Sequence, residues 1–189
     1  MTAVLSLYVL QNRYALQGIF YQTVQSHDNA IIQFRKAIEI NPGDSYSYYQ
    51  LGLIYKESGD WEKAESMYQK LLALAPEHPY APFDLGYIYI EKKEYGKAIV
   101  LCERAVALNP ENIDALHALG NIYKETGTYK KAIVLYSKIL ETDPAHRYAL
   151  WDLAEVYEKM GMKEKAEEQY KQYHEMTDCS VRRFWNCLD

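Results

Sequence analysis

The side chains best suited to chemistry here are five histidines and three cysteines, and their spacing gives them little to do. His27, His78, His117, His146 and His174 contain no HExxH pair, the arrangement that turns two imidazoles to one helix face for zinc. Cys102, Cys179 and Cys187 are odd in number and include no CxxC, so they supply no disulfide framework and fit a reducing compartment. Cys179 and Cys187 with His174 come nearest to a metal site, but three ligands of uneven spacing are a poor basis for one, and tail thiols are the simpler reading. No GxGxxG or GxxxxGK[ST] run is present to cradle a phosphate. The sequence therefore predicts no enzyme, no cofactor and no metal.

Bulk composition narrows the remaining classes. The formal net charge is −5, with 49% hydrophobic and 25% charged residues, a mixture that supports a packed core. An acidic chain is a poor general nucleic-acid binder and is not drawn to anionic membranes. No run approaches the roughly 20 apolar residues that span a bilayer. The segment Val4–Leu10 is short, no Lys or Arg precedes it, and it lacks a clear secretory cleavage site. The expectation is a soluble, cytoplasmic protein with no nucleic-acid partner and no membrane insertion.

The elements that must position any functional residue are visible as columns. Pro42, Pro76, Pro110 and Pro144 are each 34 residues apart, as are Gly18, Gly52, Gly86 and Gly120, with Ala154 continuing the glycine series. Tyr21, Tyr55, Tyr89, Tyr123 and Tyr157 follow that small residue by three, and Ala30, Ala64, Ala98, Ala132 and Ala166 form a fourth column. A glycine inside a helical pattern costs about 1 kcal/mol relative to alanine, which is tolerable where another helix must come close. The tyrosines offer apolar faces with a hydroxyl that can reach a polar partner. The prolines stop the second helix and disfavour helical geometry in the residue before them. Gly59, Gly127 and Gly161 suit a left-handed C-cap, and Ser26, Asp60 and Thr128 are N-cap candidates for the second helix. Cys102 falls where Phe34, Tyr68 and Tyr136 recur, so it reads as core filling.

These columns resemble the tetratricopeptide repeat, best over Ser45–His78 and Ile113–His146 and across about residues 11–180 in all. The resemblance implies an all-α fold: a right-handed superhelical solenoid of about five antiparallel helix-turn-helix hairpins. The repeats run 11–44, 45–78, 79–112, 113–146 and 147–180. Residues 1–10 are expected to be a remnant second helix or N-terminal cap. Residues 181–189, with Phe184 in register with Leu150, are expected to form a partial C-terminal capping helix. The first repeat departs at Gln17 and at the Gln25-Ser26-His27 turn. The third carries Pro82 near its helix start, and the last has Ala154 and Asp178 for Gly and Pro.

In proteins of this kind the leading helix of each hairpin lines a concave binding surface. The places there that packing does not dictate are occupied by Tyr46, Tyr49, Tyr80, Phe83, Asp84, Tyr87, His117, Asn121, Tyr148, Trp151, Asp152 and Glu155, with Lys56 and Lys124 further along the same helices. The alternative for any one of these aromatics is packing against the neighbouring leading helix. One subfamily grips carboxylate tails of chaperones with a Lys/Asn/Asn/Lys/Arg clamp. The corresponding places are Ala15, Ile19, Gln50, Tyr80 and Asp84, or one repeat on Tyr49, Leu53, Asp84, Asp114 and Ala118, and neither set carries a cation. The expected partner is thus a protein or peptide with apolar or proline anchors and basic residues, held in an aromatic, acidic groove. Two other readings stay open: a self-assembling structural module that takes up the Val4–Leu10 segment of a neighbouring copy, and the protein-binding arm of a larger enzyme or complex.

Overall fold

The computed structural model describes the backbone of residues 2–23 and 26–186, and side chains over residues 8–23 and 26–176. Among the described residues every regular element is a helix. The chain divides into two compact units, Met1–Glu94 and Tyr95–Asp189. Unit 1 holds α1 (Thr2–Thr23), α2 (His27–Ile40), α3 (Ser45–Glu57), α4 (Trp61–Leu74) and α5 (Ala81–Glu91). Unit 2 holds α6 (Tyr95–Leu108), α7 (Ile113–Glu125), α8 (Tyr129–Thr142), α9 (Arg147–Lys159) and α10 (Lys163–Asn186). Odd-numbered helices lead each hairpin and even-numbered helices trail. In unit 1, α1 packs on α2, α2 on α3, α3 on α4 and α4 on α5. In unit 2, α6 packs on α7, α7 on α8, α8 on α9 and α9 on α10.

Local chemistry sets the helix ends. The trailing helices stop two residues before each column proline, and Asn41, Ala75 and Asp143 turn to φ near −130°, as the following proline ring requires. Between paired helices, Gly59, Gly127 and Gly161 take φ of 75°, 73° and 74°, the left-handed C-cap the sequence predicts. Lys93 fills the same place in the third repeat at φ 58°. Of the three N-cap candidates only Asp60 caps with its side chain, accepting from the Lys63 amide at 3.3 Å. Ser26 and Thr128 sit at the N-cap without that bond. Pro82 is tolerated in the first turn of α5.

The core explains the columns. A Cβ added to Gly18, Gly52 or Gly120 would lie 2.6–2.7 Å from the ring of Phe34, Tyr68 or Tyr136. The glycines therefore make room for a trailing-helix ring, and all three rings are fully buried. Ala30, Ala64, Ala98 and Ala132 are also fully buried. The tyrosine column finds its polar partners: the Tyr89 hydroxyl donates to Glu65 Oε1 at 2.7 Å, and the Tyr123 hydroxyl to Glu103 Oε1 at 2.6 Å. Cys102 has no exposed surface, and burial pushes its thiol up to about 12, so it is inert filling.

Both ends differ from expectation. α1 runs unbroken from Thr2 to Thr23, so residues 2–10 prolong the first leading helix and are not a separate second helix. The sequence holds no Pro or Gly between Thr2 and Gln17 to stop it. α10 likewise runs on to Asn186 with no new leading helix at 181. Asp178 stands where the other repeats carry their stopping proline, and aspartate does not break a helix. The side chains of Cys179, Arg182, Arg183 and Phe184, all of Cys187, and Gln25 of the first turn lie outside the described residues.

Candidate functional site

The leading helices place the expected residues as two sets, one per unit. In unit 1, Tyr49 of α3 stacks with Tyr80 at 6.3 Å between ring centroids and lies 4.7 Å from the His78 ring. Tyr68 of α4 approaches from beneath at 6.2 Å. Asp84 of α5 is 5% exposed and pairs with Lys56 Nζ at 2.5 Å. Burial, helped by the Asp84 carboxylate and a hydrogen bond to it, drives the Tyr49 phenol well above its usual range. Tyr46 packs edge-on to Phe34, and Tyr87 lies 6.5 Å from Trp61.

Unit 2 repeats the arrangement with other residues. His117 of α7 occupies the place of Tyr49 and approaches Tyr136, His146 and Tyr148 at 5.9, 5.8 and 6.2 Å. Its Nε2 is 2.6 Å from Asp152 Oδ2, while Lys124 Nζ donates to Asp152 Oδ1 and Glu155 Oε2, each at 2.6 Å. Burial alone would raise Asp152, but the bonds from His117 and Lys124 outweigh it and hold the carboxyl below its usual value. Burial would likewise lower Lys124, and its two carboxylate partners raise it instead. Asn121 Oδ1 accepts from the Tyr136 hydroxyl at 2.6 Å. Trp151 packs against Tyr170 and Tyr173 of α10 at 5.1 and 5.2 Å.

Two corrections to the sequence reading follow. The groove was expected to be acidic, but Asp84, Asp152 and Glu155 already hold a lysine from the preceding leading helix. Lys56 and Lys124 were read as lining residues, and their pairing across 28 and 31 residues needs the helix stacking to be known. Second, His78 and His146, to which the sequence assigned no role, bond to helix starts. Their Nδ1 atoms accept from the amides of Ala81 and Ala149, each at 3.1 Å, at the starts of α5 and α9. Asp44 and Asn112 cap α3 and α7 in the same register, accepting from Ser47 and Ala115. The 34-residue spacing of Asp44, His78, Asn112 and His146 is the signal that would have found them. Burial lowers the His78 pKa, with Asp84 acting weakly against it.

The aromatics split between packing and display. Tyr49, Phe83 and His117 are half-buried among their neighbours. Tyr46, Tyr80, Tyr87, Tyr148 and Trp151 keep 43, 57, 38, 62 and 40% of their surface exposed. Among the described residues no cluster of three or more His, Cys, Asp or Glu could hold a metal ion. No helix there is long and apolar enough to cross a membrane.

Two family models described as tetratricopeptide repeat match residues 9–77 and 49–113. The chain belongs to the tetratricopeptide repeat family. A third model, described as anaphase-promoting complex, cyclosome, subunit 3, matches residues 91–173 of the repeat array. Among curated proteins none matches. Solved tetratricopeptide structures are similar throughout. A crystal structure of MamA is 27% identical, covers 87% of this chain and 96% of its own, and gives a TM-score of 0.83. MamA from Desulfovibrio magneticus RS-1 is 22% identical over 89% of this chain and 96% of its own, also at 0.83. YrrB, described as a TPR protein with an unusual peptide-binding site, is 23% identical over 86% and 84%, with a TM-score of 0.80.

Proposed function

We infer that this tetratricopeptide protein is a non-catalytic scaffold that holds an extended segment of a partner protein against its leading helices. The observation that carries this reading is the exposure of Tyr46, Tyr80, Tyr87, Tyr148 and Trp151 on those helices. Repeat packing does not need them there, and large apolar surface displayed by a soluble fold marks contact sites. Tyrosine and tryptophan give wide contact area at little entropic cost, and their hydroxyl or indole N–H can meet a peptide backbone. Supporting it, the similar YrrB is described as having a peptide-binding site.

The ion pairs revise the partner's chemistry. With Asp84 neutralised by Lys56, the unit 1 face suits apolar or proline anchors more than basic ones. In unit 2, Lys124 faces two carboxylates, and a basic residue of the partner finds its complement there. A carboxylate tail finds no clamp, because Lys56 and Lys124 are both engaged. The test is selection of binders from a random peptide pool, followed by titration of the Tyr80→Ala/Tyr148→Ala/Trp151→Ala variant. Loss of at least about tenfold in affinity supports the reading. Unchanged affinity removes it.

Self-association is a second reading, now resting on α1. Residues 2–10 are helical, so they are no extended strap for a neighbour's groove. Val9, Leu16 and Phe20 instead form an exposed apolar stripe on that helix. Sedimentation of the wild type against Leu16→Glu/Phe20→Glu decides it: a wild-type monomer removes this reading.

A further inference from the structure

A second groove lies in unit 1, on the side of the trailing helices. It has a volume of about 380 Å³ and is walled by α2, α3 and α4. Its floor is apolar, made by Ile38, Leu51, Tyr55 and Met67, with Tyr48 at one end. Its rim is cationic: Arg35 from α2, and Lys63 and Lys70 from α4, all exposed. Lys63 is engaged by Asp60, but Arg35 and Lys70 have no carboxylate within ion-pair distance among the described residues. Lys70 instead rests over the Tyr48 ring at 5.9 Å, and Lys63 over the Tyr55 ring at 5.4 Å. In a chain of net charge −5, the partly buried Lys56, Lys92 and Lys124 hold carboxylates, whereas Arg35 and Lys70 stand exposed on one groove without one.

The register-equivalent place in unit 2 shows which part of this charge the repeat carries. It is walled by Glu103, Leu119, Tyr123, Lys130, Lys131, Val134 and Leu135. Leu119, Tyr123 and Lys131 repeat Leu51, Tyr55 and Lys63. Glu103 stands where unit 1 has Arg35, and it is occupied by the Tyr123 hydroxyl. Val134 replaces Ser66. Lys138 likewise repeats Lys70, so Lys63 and Lys70 belong to the repeat, and Arg35 against Glu103 is the rim charge that sets unit 1 apart.

We propose that the α2–α4 groove of unit 1 is a second docking surface, for an acidic segment of a partner protein that seats one large apolar side chain between Arg35 and Lys70. The apolar residue fills the floor over Leu51 and Met67. Flanking Asp or Glu residues meet the two cations, and the Tyr48 ring beneath Lys70 holds that one in place while leaving its donor capacity outward. Glu39, which also lines the groove, opposes such a ligand. The surface is independent of the leading-helix face, so either can fail without the other.

The experiment uses the same random peptide pool on the full chain. The expected result is a class of selected peptides with carboxylates around one large apolar residue. These should bind the Tyr80→Ala/Tyr148→Ala/Trp151→Ala variant like wild type and bind Arg35→Glu/Lys70→Glu about tenfold more weakly. Their affinity should fall as salt rises from about 0.1 M to about 1 M. Glu39→Lys, which removes the opposing charge and leaves the cations in place, should tighten binding, so a folding defect in the charge-reversed variant cannot imitate the result. Failure to select acidic peptides overturns the proposal, as do acidic peptides that bind Arg35→Glu/Lys70→Glu unchanged or gain nothing from Glu39→Lys.

Discussion

Unit 1 and unit 2 each build an equivalent face from residues two repeats apart, and what they keep and change is informative. Tyr68, His78, Tyr80, Lys56 and Asp84 in one answer to Tyr136, His146, Tyr148, Lys124 and Asp152 in the other. The lysine–aspartate pair, the histidine cap and the buried ring over glycine are common to both. The residues between them differ: Tyr49 against His117, Leu53 against Asn121, Tyr87 against Glu155. Each change alters a neighbour's hydrogen bonding. Asn121 takes the Tyr136 hydroxyl, whereas Leu53 cannot, and the Tyr68 hydroxyl is buried without a partner. The frame is thus duplicated and the reading surface diverges, as expected if the two units contact different parts of a partner.

Perturbing matched residues sharpens this comparison. The largest effect should come from the ion pairs. Lys56→Met takes the cation from buried Asp84, and Lys124→Met leaves Asp152 to His117 alone and Glu155 without its cation, each at about 3 kcal/mol of unfolding free energy. Chemical denaturation of the two variants checks it, and equal indifference to both changes would show the pairs to be ornamental. Next come Gly52→Ala and Gly120→Ala, where the new methyl meets a fully buried ring. Each should cost about 2 kcal/mol, measured the same way.

A smaller effect separates the units most cleanly. Tyr136→Phe removes the bond to Asn121 and should destabilise by about 1 kcal/mol. Tyr68→Phe removes a hydroxyl that has no partner and should be neutral or slightly stabilising. Equal losses at both sites would contradict the described difference between Leu53 and Asn121. The smallest effect is that of pH. Asp152 is held below its usual 3.8, so its contribution is complete above that value and is lost as pH falls through the depressed one. Lys124 is held above its usual 10.5, so its contribution is complete below that value and fades as pH rises through the raised one. Asp152→Asn should therefore have a shallower acid limb of stability than wild type.

The frame was legible because its constraints are local and periodic. A glycine under a ring, a left-handed glycine after a helix and a proline past its end each leave a mark at one position, every 34 residues. The candidate face was legible only by position. Which aromatics stay exposed depends on neighbours far along the chain: Trp151 lies against α10, and Tyr49 lies beneath Tyr80. The pairing of charges on the face was hidden for the same reason, since Lys56 and Asp84 meet only once α3 and α5 are placed side by side. The cap column was missed because Asp, His, Asn and His share a function and not a residue type. The unbroken α1 and α10 were missed because periodicity marks where a repeat would start, whereas a helix ends only where something stops it.

The central claim is that the exposed leading-helix aromatics hold the partner. Amide chemical-shift mapping with a peptide selected on the wild-type chain tests it most directly. The account predicts shifts concentrated on α3 and α5 in unit 1 and on α7 and α9 in unit 2, near Tyr46, Tyr80, Tyr148 and Trp151. A pool whose every selected peptide shifts only trailing-helix residues, or a pool that yields no binder, would contradict it.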